Sequence, residues 1–384
     1  MLASPPLSPS LSKPPPPSLT IHQCKGDEGV HLFHGWAHRM GWNPGQKAAM
    51  RQVMLKTDPG AYFYGRLDDH PSLFSLSINN GTTTRDSSDD EDDNLKVQQV
   101  KEENPLALED DRSIVSMISA IRFGEDQAWL SYYITEEKYR GCGYGLATFN
   151  RALEHVGHSR KSVGLNAVFA QVENYRKSGF TKSSWTNERR RGSARDVVEV
   201  QERELADRIG KNQVEGLVLL SDPRVDWEQL PAMEKRYAGF NRPEFVKDWV
   251  RYHANHPEHH RVGVAFLSPD KTDPVTGKPL VLGYACARPA VVSYRIGPLY
   301  ATDGEVARNL LVKLSAEVVA AETKNPLGVP LIFDIDIVQQ NEAAMALFDK
   351  VGWSNVISSL RMWKGEVPPY DASGVFGIST AEAG

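Results

Sequence analysis

Apolar residues in the first half of the chain follow two spacings, one typical of strands and the other of helices. Residues 113–123 (SIVSMISAIRF) and 127–135 (QAWLSYYIT) are rich in β-branched and aromatic side chains and predict two strands joined by the turn residues GED. Residues 146–156 (LATFNRALEHV) place apolar side chains every three or four positions, which predicts an amphipathic helix. A glycine-rich stretch therefore lies between a strand and a helix.

The flanking segments continue this mixed pattern. Upstream, HLFHGWAHRMGW and NPGQKAAMRQVML predict two helices, the second starting at Asn43 and Pro44, and AYFYGRL predicts a strand. Downstream, VGLNAVFA predicts a strand, and QVENYRKSGF predicts a short helix that ends at Gly179. The first half is therefore expected to have an α/β fold.

The second half repeats a similar order of elements. Residues 214–223, 280–289 and 329–338 predict strands, and residues 240–250 predict a helix between the first two of them. We therefore expect two α/β domains, over residues 20–188 and 214–368.

Four polar or biased segments surround these domains. Residues 1–19 are rich in Ser and Pro and predict a disordered tail, because they have few large apolar groups to offset the entropy of ordering. Acidic residues dominate an insertion at about 79–112, which we expect to be solvated and disordered. Residues 189–213, which include a run of three arginines, are expected to link the domains, and residues 369–384 are expected to form a second tail.

Composition narrows the class of protein. The chain has 384 residues, 40% of them hydrophobic, which is enough for two domains to bury a core each. Its formal net charge is −5, and no apolar run approaches the roughly 18 residues that span a bilayer. We therefore expect neither a nucleic-acid partner nor a membrane partner, and the arginines of the 189–213 segment are expected to be a solvated strand end.

Cysteine usage indicates a reducing compartment. Cys24, Cys142 and Cys286 lie far apart, with no CxxC pair. The tail lacks acidic residues, as an organelle-targeting peptide would, but it also lacks arginine, and its prolines break any amphipathic helix. We therefore expect a cytoplasmic protein.

The glycine-rich stretch RGCGYG, residues 140–145, is the main candidate for chemistry. It is not a dinucleotide fingerprint, because its glycines follow a G-x-G-x-G spacing and residues 161–166 (KSVGLN) contain no acid to hold a ribose. It is not the phosphate loop of nucleotide hydrolases either, because Gly-Lys-Ser/Thr is missing. Two interpretations remain.

The first interpretation is a turn that binds an anion. Backbone N–H groups at a helix N-terminus would hold the anion without a side chain in the way, and Arg140 would add a charge-assisted hydrogen bond worth roughly 1.5 to 3 kcal/mol. The second interpretation is structural: the glycines only allow the helix to pack closely against the strand.

The segment ITEEKYRGCGYGLA resembles the pyrophosphate-binding signature of the GNAT acetyltransferases, R/Q-x-x-G-x-G/A, with Arg140, Gly143 and Gly145 at the defining positions. Thirty residues downstream, NYRKSGF resembles the second motif of the family, Y-x-K-x-G-F, and places Tyr175 at its tyrosine. The similarity extends over roughly residues 28 to 365 and implies two tandem GNAT folds, each a mixed, mostly antiparallel sheet flanked by helices.

The second copy departs from the family pattern. The segment QNEAAMALFDKVGW is similar to the second motif but has Phe348 in place of the tyrosine. The expected glycine loop is replaced by LYATDGEVARNLL, in which Asp303 and Glu305 would repel a diphosphate. The resemblance therefore implies an active first domain and a degenerate second domain that does not bind coenzyme.

The resemblance also implies residues that would bind coenzyme A. The diphosphate would be held by the loop, and the amides of the pantetheine arm would pair with the backbone of the strand that enters it. The loop residues are Arg140, Gly141, Cys142, Gly143, Tyr144, Gly145 and Leu146, and the strand residues are Tyr133, Ile134 and Thr135. The Cys142 side chain has no role in the expected mechanism.

The family pattern assigns Tyr175 as the catalytic acid that protonates the leaving thiolate, an effect typically worth 10² to 10⁴ in rate. The alternative is that Tyr175 only packs under the sheet. Many relatives have a glutamate base on the strand before the loop, but QAWLSYYIT has none. Proton loss through water is the default expectation, with Glu125 as a weak candidate base.

The sequence predicts no metal site. His34 and His38 have the i, i+4 spacing of a metal pair on a helix that also carries His31, but a third ligand and the HExxH pattern are missing. The resemblance implies a metal-independent N-acyltransferase that moves an acetyl group from acetyl-CoA to a primary amine, either a small molecule or a protein amine, by direct attack in a ternary complex. The alternative is a regulatory protein that binds acyl-CoA without turnover.

Overall fold

The computed structural model describes residues 18–68, 112–206, 215–254, 256–324 and 326–384. The predicted Ser/Pro-rich tail up to residue 17 and the predicted acidic insertion up to residue 111 lie outside these ranges. Within the described residues, no helix is both long and apolar enough to cross a membrane.

The first half alternates strands and helices as the sequence predicts. Its strands are β1 (Leu19–Gln23), β2 (Tyr62–Leu67), β3 (Ile114–Phe123), β4 (Gln127–Thr135), β5 (Ser162–Val168) and β6 (Lys182–Ser193). Its helices are α1 (Asp27–Arg39), α2 (Lys47–Ala49), α3 (Leu55–Thr57), α4 (Tyr144–Val156), α5 (Val172–Lys177) and α6 (Ala194–Ala206), and a π-helical turn at Met50–Met54 joins α2 to α3.

The second half has a similar order of elements. Its strands are β7 (Leu217–Leu219), β8 (Val262–Thr272), β9 (Pro279–Pro289), β10 (Tyr294–Ala301), β11 (Ile332–Val338), β12 (Ser354–Gly365) and β13 (Val375–Gly377). Its helices are α7 (Gln229–Ala238), α8 (Pro243–His253), α9 (Gly304–Lys324) and α10 (Glu342–Lys350).

All described strands belong to one sheet, in the order β1-β2-β3-β4-β5-β12-β6-β11-β10-β9-β8-β7, with β13 on β10. Neighbouring strands are antiparallel, apart from the parallel pairs β4–β5 and β10–β11. This arrangement confirms the predicted class of two mixed, mostly antiparallel α/β units.

The two halves exchange their last long strands. Strand β12, from the second half, lies between β5 and β6, with Leu360 opposite Ala167 on one side and opposite Thr186 on the other. Strand β6, from the first half, uses its residues Asn187 to Ser193 to pair with the whole length of β11. Each half therefore completes the sheet of the other.

The strand exchange corrects the predicted linker. Residues 189–193 form the end of β6 instead of a solvated segment, and helix α6 follows them directly and packs against α9. The three arginines are ion-paired in the middle of the sheet: Arg189 with Asp336, Arg190 with Glu188 and Asp349, and Arg191 with Asp334. A run of like charges is stable there because carboxylates of neighbouring elements face it.

Asn43 also differs from its predicted role. Helix α2 begins at Lys47, so Asn43 does not cap it. Instead the buried Asn43 Nδ2 donates to Ser293 Oγ at 2.6 Å and to Asp334 Oδ2 at 2.7 Å. These bonds tie the first half to the second.

Residues 369–384 are not a free tail. Beyond β13 the chain remains buried through Ser379, Thr380, Glu382 and Ala383 and runs between the two halves. The segment has few large apolar residues, so hydrophobic periodicity alone does not reveal its burial.

Candidate functional site

The site begins where two parallel strands separate. Strands β4 and β5 pair only from Gln127 opposite Ser162 to Trp129 opposite Gly164. In the pairing of β3 with β4, two residues of β4, Tyr132 and Tyr133, face one residue of β3, which is a β-bulge. Beyond Trp129, none of the described strands pairs with the edge of β4 that faces β5.

A cleft of about 200 Å³ fills the gap between these strands. Residues of both halves line it: Trp42, Leu130, Ser131, Tyr132, Tyr133, Phe149, Leu165, Asn166, Val168, Gln171, Tyr175, Asn187, Arg189, Asp336, Ile357, Ser359, Ala381 and Glu382. Tyr133 lines the cleft, and its hydroxyl would lie 2.8 Å from a β-carbon on Gly145, so the cleft and the glycine loop adjoin and form one candidate site.

The glycine loop joins β4 to α4. Gly141 has φ = 79° and Gly143 has φ = 87°, a left-handed conformation that side chains with a β-carbon rarely adopt. Gly143 precedes the first turn of α4, and no side chain caps this helix. An uncapped helix N-terminus presents backbone N–H groups and a positive dipole end, which together suit an anion.

Arg140 and Cys142 lie exposed in this loop. Arg140 Nε donates to the carbonyl of Thr135 at 3.3 Å, which anchors the side chain beside the end of β4. Cys142 Sγ lies 3.9 Å from the Arg140 carbonyl, and its backbone nitrogen donates to the Tyr139 carbonyl at 3.4 Å. Among the described residues Arg140 forms no ion pair, so an anion at the loop would meet the guanidinium without displacing one of them.

Gly145 serves a different purpose from Gly141 and Gly143. A β-carbon on Gly145 would lie 2.3 Å from Thr135 Oγ1 and 2.8 Å from the Tyr133 hydroxyl, whereas β-carbons on Gly141 and Gly143 would meet nothing within 4 Å. The structural interpretation thus applies to Gly145, which allows α4 to approach β4.

The remaining predicted loop and strand residues divide between core and surface. Ile134 is buried, Tyr144 is buried against Tyr139, and Thr135 is half-buried, whereas Leu146 is exposed at the start of α4. Of the predicted coenzyme residues, Tyr133 lines the cleft, and the others lie at the end of β4, in the loop that follows and at the start of α4.

Tyr175 lines the cleft from helix α5. Its ring contacts those of Tyr133, Phe149 and Phe180, with centroids 6.1 to 6.3 Å apart. Burial, assisted by the nearby Tyr133, raises the pKa of Tyr175 above its ordinary value. The hydroxyl therefore stays protonated at neutral pH and is able to donate a proton.

Glu125 is not placed to act as the base. It lies in the turn that precedes β4, at the end of the strand opposite to the glycine loop, in a separate depression with Asp126 and Lys161. The weak expectation for Glu125 is therefore wrong.

Two carboxylates that the sequence did not single out line the cleft instead. Asp336, from β11, forms a bidentate pair with Arg189, both contacts being 2.9 Å, and receives Arg295 at 3.2 Å. Glu382 forms short contacts with Arg295 and with the Thr380 hydroxyl. Their arginine partners lie far away in the sequence, so no local spacing signals the cluster.

Glu382 reaches the cleft because the C-terminal segment is bound to β4. The indole nitrogen of Trp129 donates to the carbonyl of Ala381 at 3.1 Å, and Ser131 Oγ donates to the carbonyl of Glu382 at 2.7 Å. These bonds fix residues 381 and 382 beside the bulge of β4.

Comparison with known proteins identifies this architecture. Residues 231–377 match the family described as acetyltransferase (GNAT) domain. The second unit of the chain therefore matches a GNAT domain in sequence, and the chain as a whole has the tandem GNAT fold. The holothin acyltransferase of Pseudoalteromonas sp. (strain SANK 73390) is 23% identical over 270 residues, which cover 70% of this chain and 78% of that protein.

Solved structures share the tandem GNAT fold. A putative acetyltransferase from Pyrococcus horikoshii has a TM-score of 0.59 at 17% identity, covering 98% of this chain and 99% of that one. A tandem GNAT protein from the clavulanic acid biosynthesis pathway has a TM-score of 0.51 at 14% identity, covering 90% and 98%. Both similarities extend over the two GNAT units.

The family match falls on the second GNAT unit. Its slot, the gap between two separating parallel strands that corresponds to the cleft between β4 and β5, is filled by a strand of the chain itself. Strands β10 and β11 pair only from Tyr294 opposite Phe333 to Ile296 opposite Ile335 and then separate, as β4 and β5 do. Strand β13 occupies the free edge of β10, with Gly377 opposite Leu299. A pantetheine arm would find these backbone groups already paired.

The helix that follows β10 is capped. Asp303 Oδ1 accepts hydrogen bonds from the backbone nitrogens of Glu305 and Val306, both at 2.9 Å. The carboxylate thus occupies the place at the N-terminus of α9 that an anion would take, and Phe348, at the tyrosine position, is fully buried. The residues of the second GNAT unit do not fit a coenzyme, whereas those of the first unit do.

The described residues contain no group of three His, Cys, Asp or Glu side chains that could hold a metal ion. Lys47 Nζ contacts His31 at 3.0 Å. Burial, together with the nearby Lys47, His38 and His31, lowers the pKa of His34 to about 4.

Proposed function

We propose that the protein is an acetyl-CoA-dependent N-acyltransferase with one coenzyme site, in the first GNAT unit. The observation that supports this most strongly is the contrast between two equivalent slots. One has an uncapped glycine loop and an open strand edge, and the other has a helix capped by Asp303 and an edge occupied by β13. The names of the family and of the curated relative support acyl transfer in general.

The residues proposed to hold the coenzyme lie along a single path. Arg140 and the backbone of 141–146 would bind the diphosphate, and the β4 backbone at 133–135 would pair with the pantetheine amides. Bound there, acetyl-CoA supplies a thioester carbonyl as the acyl donor. The bulge in β4 offers backbone N–H groups that can stabilise the negative charge that develops on the carbonyl oxygen.

Tyr175 is the proposed acid. Its side chain lines the same cleft, and its raised pKa keeps the hydroxyl protonated until the sulfur leaves. Proton donation by a positioned side chain is typically worth 10² to 10⁴ in rate.

The acceptor would enter the cleft beside β12. Val168 and Ile357, both exposed and apolar, line the cleft there, where the end of β5 lies next to β12. The small volume and the apolar rim favour a small primary amine with an apolar body over a folded protein surface.

Thiol release from acetyl-CoA tests the proposal against the non-catalytic alternative. The panel is 2-phenylethylamine, putrescine, glycine and Nα-acetyl-lysine, and calorimetry measures acetyl-CoA binding in parallel. We expect amine-dependent release, fastest with 2-phenylethylamine. Tight binding without release for every amine would favour the regulatory protein, and the absence of binding would contradict both functions.

A further inference from the structure

The C-terminal segment brings a carboxylate into the cleft where the first GNAT unit lacks a base on its own strand. We infer that Glu382 takes the proton from the attacking amine. This inference rests on the proposed function, and it adds a catalytic residue from a part of the chain 251 positions away from Ser131, to which the segment is bonded.

The segment is held firmly enough to position a catalytic group. It starts from β13, in the filled slot of the second unit, and Ser379 Oγ then contacts the Tyr300 hydroxyl at 3.2 Å and donates to Glu234 at 3.2 Å. Arg288 donates to Thr380 Oγ1 at 3.2 Å. The slot of the second unit thus anchors β13, and the segment that follows β13 completes the cleft of the first unit.

Glu382 is better placed than Asp336 to accept a proton. Asp336 accepts three guanidinium contacts, two from Arg189 and one from Arg295, whereas Glu382 accepts one guanidinium contact and one hydroxyl hydrogen bond. A carboxylate oxygen has two lone pairs, so each Glu382 oxygen retains capacity for another proton. Glu382 and Tyr175 line the same cleft, which places a proton acceptor and a proton donor in one cavity.

The surroundings of Glu382 keep it ionised. The charged or titratable side chains that interact with it are Arg295, Arg288, Arg189, Tyr62 and Tyr132. Burial opposes ionisation of Glu382, but the three arginines outweigh burial and hold its pKa below the usual value. A carboxylate of low basicity is sufficient, because the nitrogen becomes strongly acidic once it bonds to the carbonyl carbon.

In the proposed step, each bond that forms is matched by one that breaks, and each proton has a donor and an acceptor. The amine nitrogen forms a bond to the acyl carbon, and the bond from that carbon to sulfur breaks. The proton of the nitrogen moves to Glu382, and the hydroxyl proton of Tyr175 moves to the sulfur. Solvent then takes the proton from Glu382 and returns one to Tyr175, so both residues regain their starting states.

Two substitutions of Glu382 separate catalysis from structure. Glu382→Gln keeps the length of the side chain and an oxygen for Arg295 but cannot accept the proton, and Glu382→Asp keeps the carboxylate but is shorter by one methylene. Glu366→Gln, at an exposed position outside the cleft, is the matched control. The reaction uses whichever of the four panel amines the wild type acetylates fastest, and calorimetry measures acetyl-CoA affinity.

We expect Glu382→Gln to lower kcat at least about 100-fold at neutral pH with unchanged acetyl-CoA affinity. Its residual rate should rise with pH, because hydroxide must then remove the proton. Glu382→Asp should retain more activity than Glu382→Gln and keep the pH profile of the wild type, and Glu366→Gln should be fully active.

The opposite order, with Glu382→Gln faster than Glu382→Asp, would indicate a purely structural role and overturn the inference. A Glu382→Gln variant at the wild-type rate would overturn it as well, while leaving the proposed function intact. A wild type that releases no thiol with any panel amine would overturn the proposed function and this step together.

Discussion

At the scale of single residues, the loop between β4 and α4 needs glycine for two different reasons. Gly143 adopts φ = 87° in open space, whereas Gly145 lies against Thr135 and Tyr133, where a β-carbon would clash. The resemblance to the family signature predicted both positions but not this division. It follows that a side chain at 143 changes what the loop can bind, and a side chain at 145 changes how the helix packs.

Replacing Gly143 by Asp should abolish acetyl-CoA binding while the fold is retained. The substitution brings a negative charge to the proposed diphosphate site, next to Arg140. Gly143→Asn is the matched control, because Asn has nearly the same shape and tolerates the left-handed conformation without the charge. Calorimetry should give a much larger loss of affinity for Asp than for Asn. Equal affinity of Gly143→Asp and wild type would show that the diphosphate binds elsewhere.

Replacing Tyr175 by Phe should lower kcat at least about tenfold and leave acetyl-CoA affinity similar, because ring packing survives and only the proton donor is lost. Tyr370→Phe, the same change outside the cleft, is the control. In the wild type, the raised pKa of Tyr175 implies that its ionisation does not reduce the rate below about pH 10, the ordinary tyrosine value. A Tyr175→Phe enzyme at full rate would assign the proton to another donor.

At the scale of elements, the two GNAT units differ at the N-terminus of the helix that follows the separating strand, which is α4 in the first unit and α9 in the second. Helix α4 has no side-chain cap, and α9 is capped by Asp303. An anion at α4 would supply the missing acceptor, whereas α9 already has one.

Asp303→Ala should destabilise the protein by about 1 kcal/mol, the typical cost of losing an N-cap, without changing acetyl-CoA affinity. Asp303→Asn should retain most of the stability because its amide oxygen can accept the same bonds. Urea unfolding measures the first effect and calorimetry the second. If Asp303→Ala gained a second acetyl-CoA site, the β13 strand would not be what closes the slot.

The sequence predicted β3 and β4 because they are rich in β-branched and aromatic residues, and α4 because it buries one face and shows the helical period. It did not predict β13 or the burial of Glu382. That segment is held by hydrogen bonds and ion pairs to residues such as Ser131 and Arg295, and such contacts leave no periodic trace. The arginines of β6 were misread for the same reason, because Asp334 and Asp336 lie more than 140 positions away.

At the scale of the whole molecule, the exchanged strands make the two units one folding unit. Removing the second half would expose the edge of β5 and leave β6 without either neighbour. Unpaired edges of long strands are unstable and tend to aggregate.

We therefore expect fragments 1–206 and 207–384 to be insoluble or unfolded when expressed separately, and to form a soluble complex when expressed together. Circular dichroism and gel filtration report both outcomes. A fragment 1–206 that is monomeric and melts cooperatively would contradict the importance of the exchange.

The central claim is that one protein chain has two GNAT folds but one coenzyme site. Calorimetric titration with acetyl-CoA tests it most directly, on the wild type and on Gly143→Asp. The account predicts one acetyl-CoA per chain for the wild type and none for the variant. Two sites per chain, or one site that survives Gly143→Asp, would contradict it.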